Sequence, residues 1–380
     1  MAGNVRTKWL LLASLILSVL RSAFGQLSLP LPEGPHAVGF TSTTLVTARS
    51  SDSDKDRRRE LVLQVWYPAT PEGKPRSYMD PNTAAAVAEN LKFPAGFERQ
   101  VVVTARLDAP TAEGRFPIIV FSHGLGWTPF LYQSLLEDLA SRGHVVIAVT
   151  HPSGAAVTLY PDGRSIALAP RFKASDAEPA INQEVDTWVQ DFKDIVDALA
   201  RSNWLGQLSA HLDLKHIVLA GHSLGGTAAV RAACADDRVA AAIALEGKAR
   251  RKDKKPEPIN KPVMHMMGGY NRLELEGSQY EVNDGGTLYE VILNGTGHTS
   301  FSDVVYVYRN FADSAWKARH RYELDPARAI QITRDYFAAF LDHTFAGTPS
   351  VLLKPVSYAA YVDNPRTSGY PEVVLRISAK

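Results

Sequence analysis

Apolar residues recur along this chain in two alternating rhythms. Short β-branched runs bounded by Gly, Pro and polar clusters predict strands at Val38 to Ala48, Leu61 to Tyr67, Phe116 to Ser122, His144 to Thr150, Lys215 to Ala220, Val239 to Leu245, Pro262 to Met267 and Leu288 to Leu293. Between and after them, Leu131 to Ser141, Gln183 to Arg201, Gly226 to Ala235 and Pro326 to His343 predict helices. In the second of these, Val185, Trp188, Val189, Phe192, Val196 and Leu199 fall at helical spacing, a stripe that belongs in a core. Strands alternating with helices imply parallel pairing through right-handed crossovers. The expected architecture is therefore α/β, a mostly parallel central sheet flanked by helices, with function gathered at the carboxyl ends of the strands.

Three stretches interrupt the rhythm. Ser50 to Glu60 is charged and reads as a solvated turn between the first two strands. Ala69 to Gly114 is rich in proline and alanine with one weak helical patch, Thr83 to Leu91, and reads as an insertion on a single domain spanning 26–380. At the start, Arg6 and Lys8 precede an apolar run from Trp9 to Leu20, followed by Ala23-Phe24-Gly25. That order reads as a secretory signal peptide over residues 1–25, so the expected location is secreted or periplasmic.

With 380 residues and 45% hydrophobic content the chain can bury a large core. Its 41 basic and 40 acidic residues become 38 and 40 once Arg6, Lys8 and Arg21 leave with the leader. Near-neutrality, with no zinc-finger or helix-turn-helix pattern, points away from nucleic acid as a partner. The lone Cys234 excludes an internal disulfide and reads as a small buried apolar side chain.

Candidate chemistry centres on Gly221-His222-Ser223-Leu224-Gly225, a G-x-S-x-G pattern between a predicted buried strand and a predicted helix. This is the setting of a nucleophile elbow. A serine hydroxyl needs a base, and His298 in "NGTGHTSF" follows the last predicted strand. His265 lies inside a strand and reads as a satisfied core residue, whereas His222 is too close in sequence to serve Ser223. The acid that orients the imidazole is assigned to Glu246, at the end of "AAAIALEG", with Glu274, Asp284 and Asp303 as alternatives. Backbone N–H groups of Leu224 and of Leu125, within "FSHGLGW", are the candidate oxyanion donors. No cofactor or metal is assigned.

"FSHGLG", "LYQSLLEDLASRGHVVIAVTHPSG", "GHSLGG", "ALEG" and "GTGHTSFSD" together resemble the secreted platelet-activating-factor acetylhydrolase family, also called lipoprotein-associated phospholipase A2. The similarity runs from residue 34 to the closing helix. It implies an α/β-hydrolase fold, calcium independence and hydrolysis of ester bonds carrying short or oxidised acyl groups, in a small ester or a short-acyl phospholipid, with Ser223 as nucleophile, His298 as base, Glu246 as acid and the Leu125 and Leu224 amides as the oxyanion hole. The family's acid is typically aspartate, so Glu246 departs from its pattern, and its apolar membrane-docking helices are not visible between residues 69 and 114. A general carboxylesterase or polyester hydrolase of the dienelactone-hydrolase-like group, and a non-catalytic binding protein, are the alternatives. Lys248, Arg250, Arg251, Lys252, Lys254 and Lys255 form a basic stretch past Glu246 that could meet a lipid surface, although a solvated loop is the simpler reading. Asn294-Gly295-Thr296 is a glycosylation sequon beside His298.

Overall fold

A computed structural model describes residues 26–51, 55–201, 203–248, 255–270, 279–311, 323–354 and 369–380. The leader assigned to residues 1–25 lies outside the described residues. Among those described, no helix is long and apolar enough to cross a membrane.

Six runs lie side by side and parallel, buried almost throughout apart from the exposed start of β7: β5 (Phe116–Ser122), β6 (Val145–Thr150), β7 (Leu212–His222), β8 (Ala241–Leu245), β9 (Pro262–Gly268) and β10 (Thr287–Leu293). Continuous apolar strands of this kind need cover on both faces. One face receives α2 (Gln133–Ser141), α5 (Val304–Phe311) and α6 (Pro326–Ala346). The other receives α3 (Glu178–Leu199), whose Val185, Trp188, Phe192, Ile195 and Val196 are buried, and α4 (Leu224–Cys234).

The sheet extends to eleven strands in the order β11-β10-β9-β8-β7-β5-β6-β2-β1-β4-β3, where β1 is Ala37–Ser50, β2 Arg58–Ala69, β3 Lys74–Pro75, β4 Arg106–Leu107 and β11 Val373–Ala379. Its margins correct the sequence expectation of parallel pairing. β1 and β2 form an antiparallel pair, and β2 pairs antiparallel with β6. β11 runs antiparallel to β10, so Leu288 to Leu293 is not the last strand. An edge strand is buried on one face at most, and β11 accordingly lacks the unbroken apolar run that marks the inner strands. The segment 69–114 contributes α1 (Pro81–Leu91), capped by Asp80, and the small strands β3 and β4, the latter pairing with Gly39 and Phe40.

The order of the inner strands places the site. β6 lies on one side of β5 and β7 on the other, so the connection reverses direction between the carboxyl ends of β5 and β7. Loops leaving two such strands diverge and open a crevice between them. The "FSHGLGW" turn leaves β5 and the Ser223 turn leaves β7.

The charged stretch at 50–60 is not wholly solvated. Arg59 is 1% exposed, and its Nε and Nη2 reach Asp191 of α3 at 2.7 and 2.6 Å. Burial by itself would raise the Asp191 carboxyl, yet Arg59 and the hydrogen bonds from Arg59 and His151 hold it far below its ordinary value. Arg49 also pairs with Asp191, so the carboxylate keeps one guanidinium and the His151 hydrogen bond when Arg59 is removed. Arg59→Met is therefore expected to lower the unfolding free energy by about 1–3 kcal/mol, the cost of two lost buried hydrogen bonds, read by urea unfolding.

Candidate active site

Ser223 joins β7 to α4 at φ 54° and ψ −120°, a backbone region that costs an L-residue about 1–3 kcal/mol. Its N–H donates to the Leu245 carbonyl of β8 at 2.7 Å, which pins the turn to the neighbouring strand. The flanking glycines are steric requirements. A Cβ on Gly221 would lie 2.5 Å from the Gly225 carbonyl carbon, and one on Gly225 would lie 2.5 Å from both Ser122 Oγ and the His123 carbonyl oxygen. The elbow therefore presses directly on the end of β5.

His298 opens a single 3₁₀ turn, His298–Phe301, beyond β10. Its Nδ1 lies 3.2 Å from Glu246 Oε2. Glu246 follows β8, is nearly sealed from solvent, and itself sits at positive φ (55°), whereas the His298 side chain is 43% exposed. An Nδ1–H given to the carboxylate leaves Nε2 as the proton acceptor on the accessible side. The second carboxylate oxygen accepts from the Gly268 N–H at the end of β9. A Cβ on Gly268 would come within 2.9 Å of Glu246 Oε1 and 2.8 Å of the Thr296 carbonyl. Gly268 at the end of β9 thus makes room for the Glu246 side chain from β8 and holds it through its N–H.

Two of the three alternatives to Glu246 lie among the described residues, and neither contacts His298 there. Asp303 is buried and bonds the Ser134 N–H (3.1 Å) and hydroxyl instead of His298. Asp284 is exposed in the turn entering β10, at the opposite edge of the sheet from Ser223. Glu274 lies outside the described residues. His265 is buried edge-on to Tyr280, and burial pushes its imidazole down to about 4. Its core position is as expected.

For the oxyanion, Leu224 is the first residue of α4, where N–H groups lack an intrahelical acceptor and the helix dipole is positive. The Leu125 amide is aimed by its own peptide. The Gly124 carbonyl accepts from the Trp127 N–H at 3.0 Å and from His123 Nδ1 at 2.7 Å. In a trans peptide the N–H points the opposite way, so fixing that carbonyl fixes the direction of Leu125 N–H. The preceding amide, Gly124 N–H, is already engaged by the Tyr132 hydroxyl at 3.1 Å.

A second Ser-His-Asp set lies beneath this turn. Ser122 Oγ is 2.8 Å from His151 Nε2, and His151 Nδ1 is 2.7 Å from Asp191 Oδ2. All three side chains are fully buried, with His151 stacked on Trp188 at 3.9 Å between ring centres. No substrate reaches them. The set is a clamp: the His151 N–H donates to His123 Nε2 at 3.3 Å, and His123 in turn holds Gly124. Burial, then the charge of His151, pushes His123 down to about 3, so it stays a neutral donor through its Nδ1–H. Sequence reasoning missed His123, His151, Asp191 and Tyr132; the one available signal was that His123 and His151 both follow strands at the functional edge.

Of the basic stretch, Lys248 and Lys255 are described, and Arg250, Arg251, Lys252 and Lys254 lie outside the described residues. Cys234 is half-buried against the α3/α4 core, and burial raises its thiol. In the sequon, Thr296 is buried with its hydroxyl on the Leu293 carbonyl at 2.6 Å, and Asn294 is half-buried.

Residues 119–370 match the model of the alpha/beta hydrolase family, and residues 22–170 match that of platelet-activating factor acetylhydrolase, isoform II. Similar curated proteins include platelet-activating factor acetylhydrolase of Cavia porcellus, 25% identical over 60% of this chain and 57% of the relative, and that of Gallus gallus, 22% identical over 82% of each. The chain thus spans little more than half the length of the first of these. A solved ferulic acid esterase from Streptomyces cinnamoneus is 27% identical with a TM-score of 0.74, covering 92% of this chain and 99% of that one.

Asp303 ties the His298 segment to α2, and its titration is readable. Burial pushes its carboxyl up to about 7 against the lowering effect of the Ser134 hydrogen bonds and Arg334. Between about pH 4 and about pH 7 the folded protein then holds a proton that the unfolded chain has lost, so stability falls as pH rises through that window. Urea unfolding at about pH 5 and about pH 7.5 should show wild type losing stability relative to Asp303→Asn as pH rises; parallel behaviour of the two would refute the assignment.

Proposed function

This chain belongs to the alpha/beta hydrolase family and is similar to its platelet-activating factor acetylhydrolases, and on that premise we propose that it is a serine hydrolase of short-acyl carboxylic esters. The observation that carries this reading is the Glu246–His298 contact at the same sheet edge as the strained Ser223 turn. Ser223 Oγ attacks the ester carbonyl while His298 Nε2 takes its proton, and Glu246 stabilises the resulting imidazolium. The carbonyl oxygen, now an oxyanion, receives the Leu125 and Leu224 N–H groups, each such donor contributing about a hundredfold to a thousandfold in rate. Collapse breaks the ester C–O bond as His298 returns the proton to the departing alcohol. Water, deprotonated by the same imidazole, then releases the acyl group and frees Ser223.

Base, acid and oxyanion donors all come from the chain in this scheme, so turnover is proposed to be calcium independent and unchanged by a chelator. The 1–25 leader supports secretion as part of the same proposal. The similarity to a ferulic acid esterase over nearly the whole of that chain supports a second reading, hydrolysis of aromatic-acyl esters. A nitrophenyl ester series, a short-chain phosphatidylcholine and a feruloyl ester, assayed side by side, separate the two.

A fluorophosphonate should label the wild-type protein and leave Ser223→Ala unlabelled; an unlabelled wild type would point to a binding protein on a hydrolase scaffold. Glu246→Gln is expected to lower kcat on nitrophenyl acetate by about a hundredfold to ten-thousandfold, since the imidazole loses its orienting charge.

A further inference from the structure

His222 is buried between three site loops and both its ring nitrogens are occupied. Nδ1 is 2.9 Å from the Tyr132 hydroxyl, and Nε2 is 2.8 Å from the His298 carbonyl oxygen. The donors sort themselves without ambiguity. Gly124 N–H donates to the Tyr132 oxygen, so the Tyr132 proton is free to go to His222 Nδ1, and the His222 proton must sit on Nε2 facing a carbonyl that can only accept. The opposite tautomer would set two lone pairs against each other at 2.8 Å.

We propose that Tyr132 and His222 form a positioning relay that holds the oxyanion turn and the His298 turn in register around Ser223. This role rests on the esterase reading of the site. The relay starts at the amide next to Leu125, passes through the residue next to Ser223, and ends on the backbone of His298 itself. Three loops from β5, β7 and β10 are thereby joined by hydrogen bonds spanning 76 and 90 residues of sequence. Trp127 lies over the relay, its ring centre 5.1 Å from that of His222 and 5.9 Å from that of Tyr132.

Neutrality is part of the device. The His298 ring stands 4.5 Å from His222 between centres and becomes an imidazolium in each turnover. A charged His222 would oppose that step, and burial together with His298 keeps its imidazole well below the ordinary value. Engaging Gly124 N–H also leaves Leu125 N–H as the donor this turn offers to the oxyanion.

The relay is tested by kcat and KM on nitrophenyl acetate, with nitrogen-15 histidine NMR of the wild-type protein at neutral pH. Tyr132→Phe should lower kcat by about tenfold to a hundredfold with KM held within about twofold, because register and not binding is lost. His222→Gln can still donate to the His298 carbonyl and accept from Tyr132, so it should stay within about fivefold of wild type, while His222→Phe falls by about a hundredfold or more. Equal losses for Gln and Phe, or wild-type kcat in Tyr132→Phe, overturn the proposal. NMR should report a neutral Nε2–H imidazole for His222; an imidazolium or an Nδ1–H form overturns it even if the variants fail to fold. The NMR reading requires no turnover, so a wild type that hydrolyses no ester would count against the esterase reading and leave the hydrogen-bonded relay to be judged on its own.

Discussion

Everything at this sheet edge depends on a backbone turn that the chain would not adopt unaided. Ser223 at positive φ stores about 1–3 kcal/mol, and what stabilises it is a hydrogen bond to β8 and the absence of side chains at Gly221 and Gly225. Because the bare backbone of Gly225 rests on Ser122 and His123, the position of Ser223 is set by the end of β5. The turn carrying Gly124 and Leu125 leaves from that same strand end. The two turns are therefore one packed unit, and a shift in either moves both.

Beneath that unit lies a cluster of polar side chains sealed from the surface. His123 and His151 are fully buried, and each satisfies its hydrogen bonds in one tautomer, with Asp191 and Arg59 closing the network in the core between β2 and α3. In such surroundings a satisfied network is rigid and a broken one is costly, so these residues fix geometry by the same property that makes them expensive to bury. The resemblance of Ser122-His151-Asp191 to a catalytic set is a reminder that distances alone do not make a site. Access separates the two: His298 is partly open to solvent and His151 is sealed.

The pairing of Glu246 with His298 follows from steric reasoning as much as from charge. With glycine at 268, the end of β9 contributes an N–H and a space, and Glu246 fills that space from the neighbouring strand. The extra methylene of glutamate, which departs from the aspartate of the resembling family, is accommodated because the receiving position has no side chain.

The sequence by itself determined the inner strands, the helices α2, α3, α4 and α6 and the glycine-flanked turn at Ser223, because each is written in a local period or a short motif. From chain order it also nominated Ser223, His298, Glu246 and the Leu125 and Leu224 amides, whose roles belong to the proposal above. What it did not carry was the antiparallel margin, where β11 and the short β3 and β4 are partly or wholly exposed and lack a strong period. Nor did it carry burial of Arg59, read as solvated because its partner Asp191 is 132 residues away. Tyr132, His151 and the use of His222 were decided only in three dimensions. A hydrogen bond between loops from different strands has no signature in either strand's sequence, and only the reversal of strand order between β5 and β7 brings those loops to face one another.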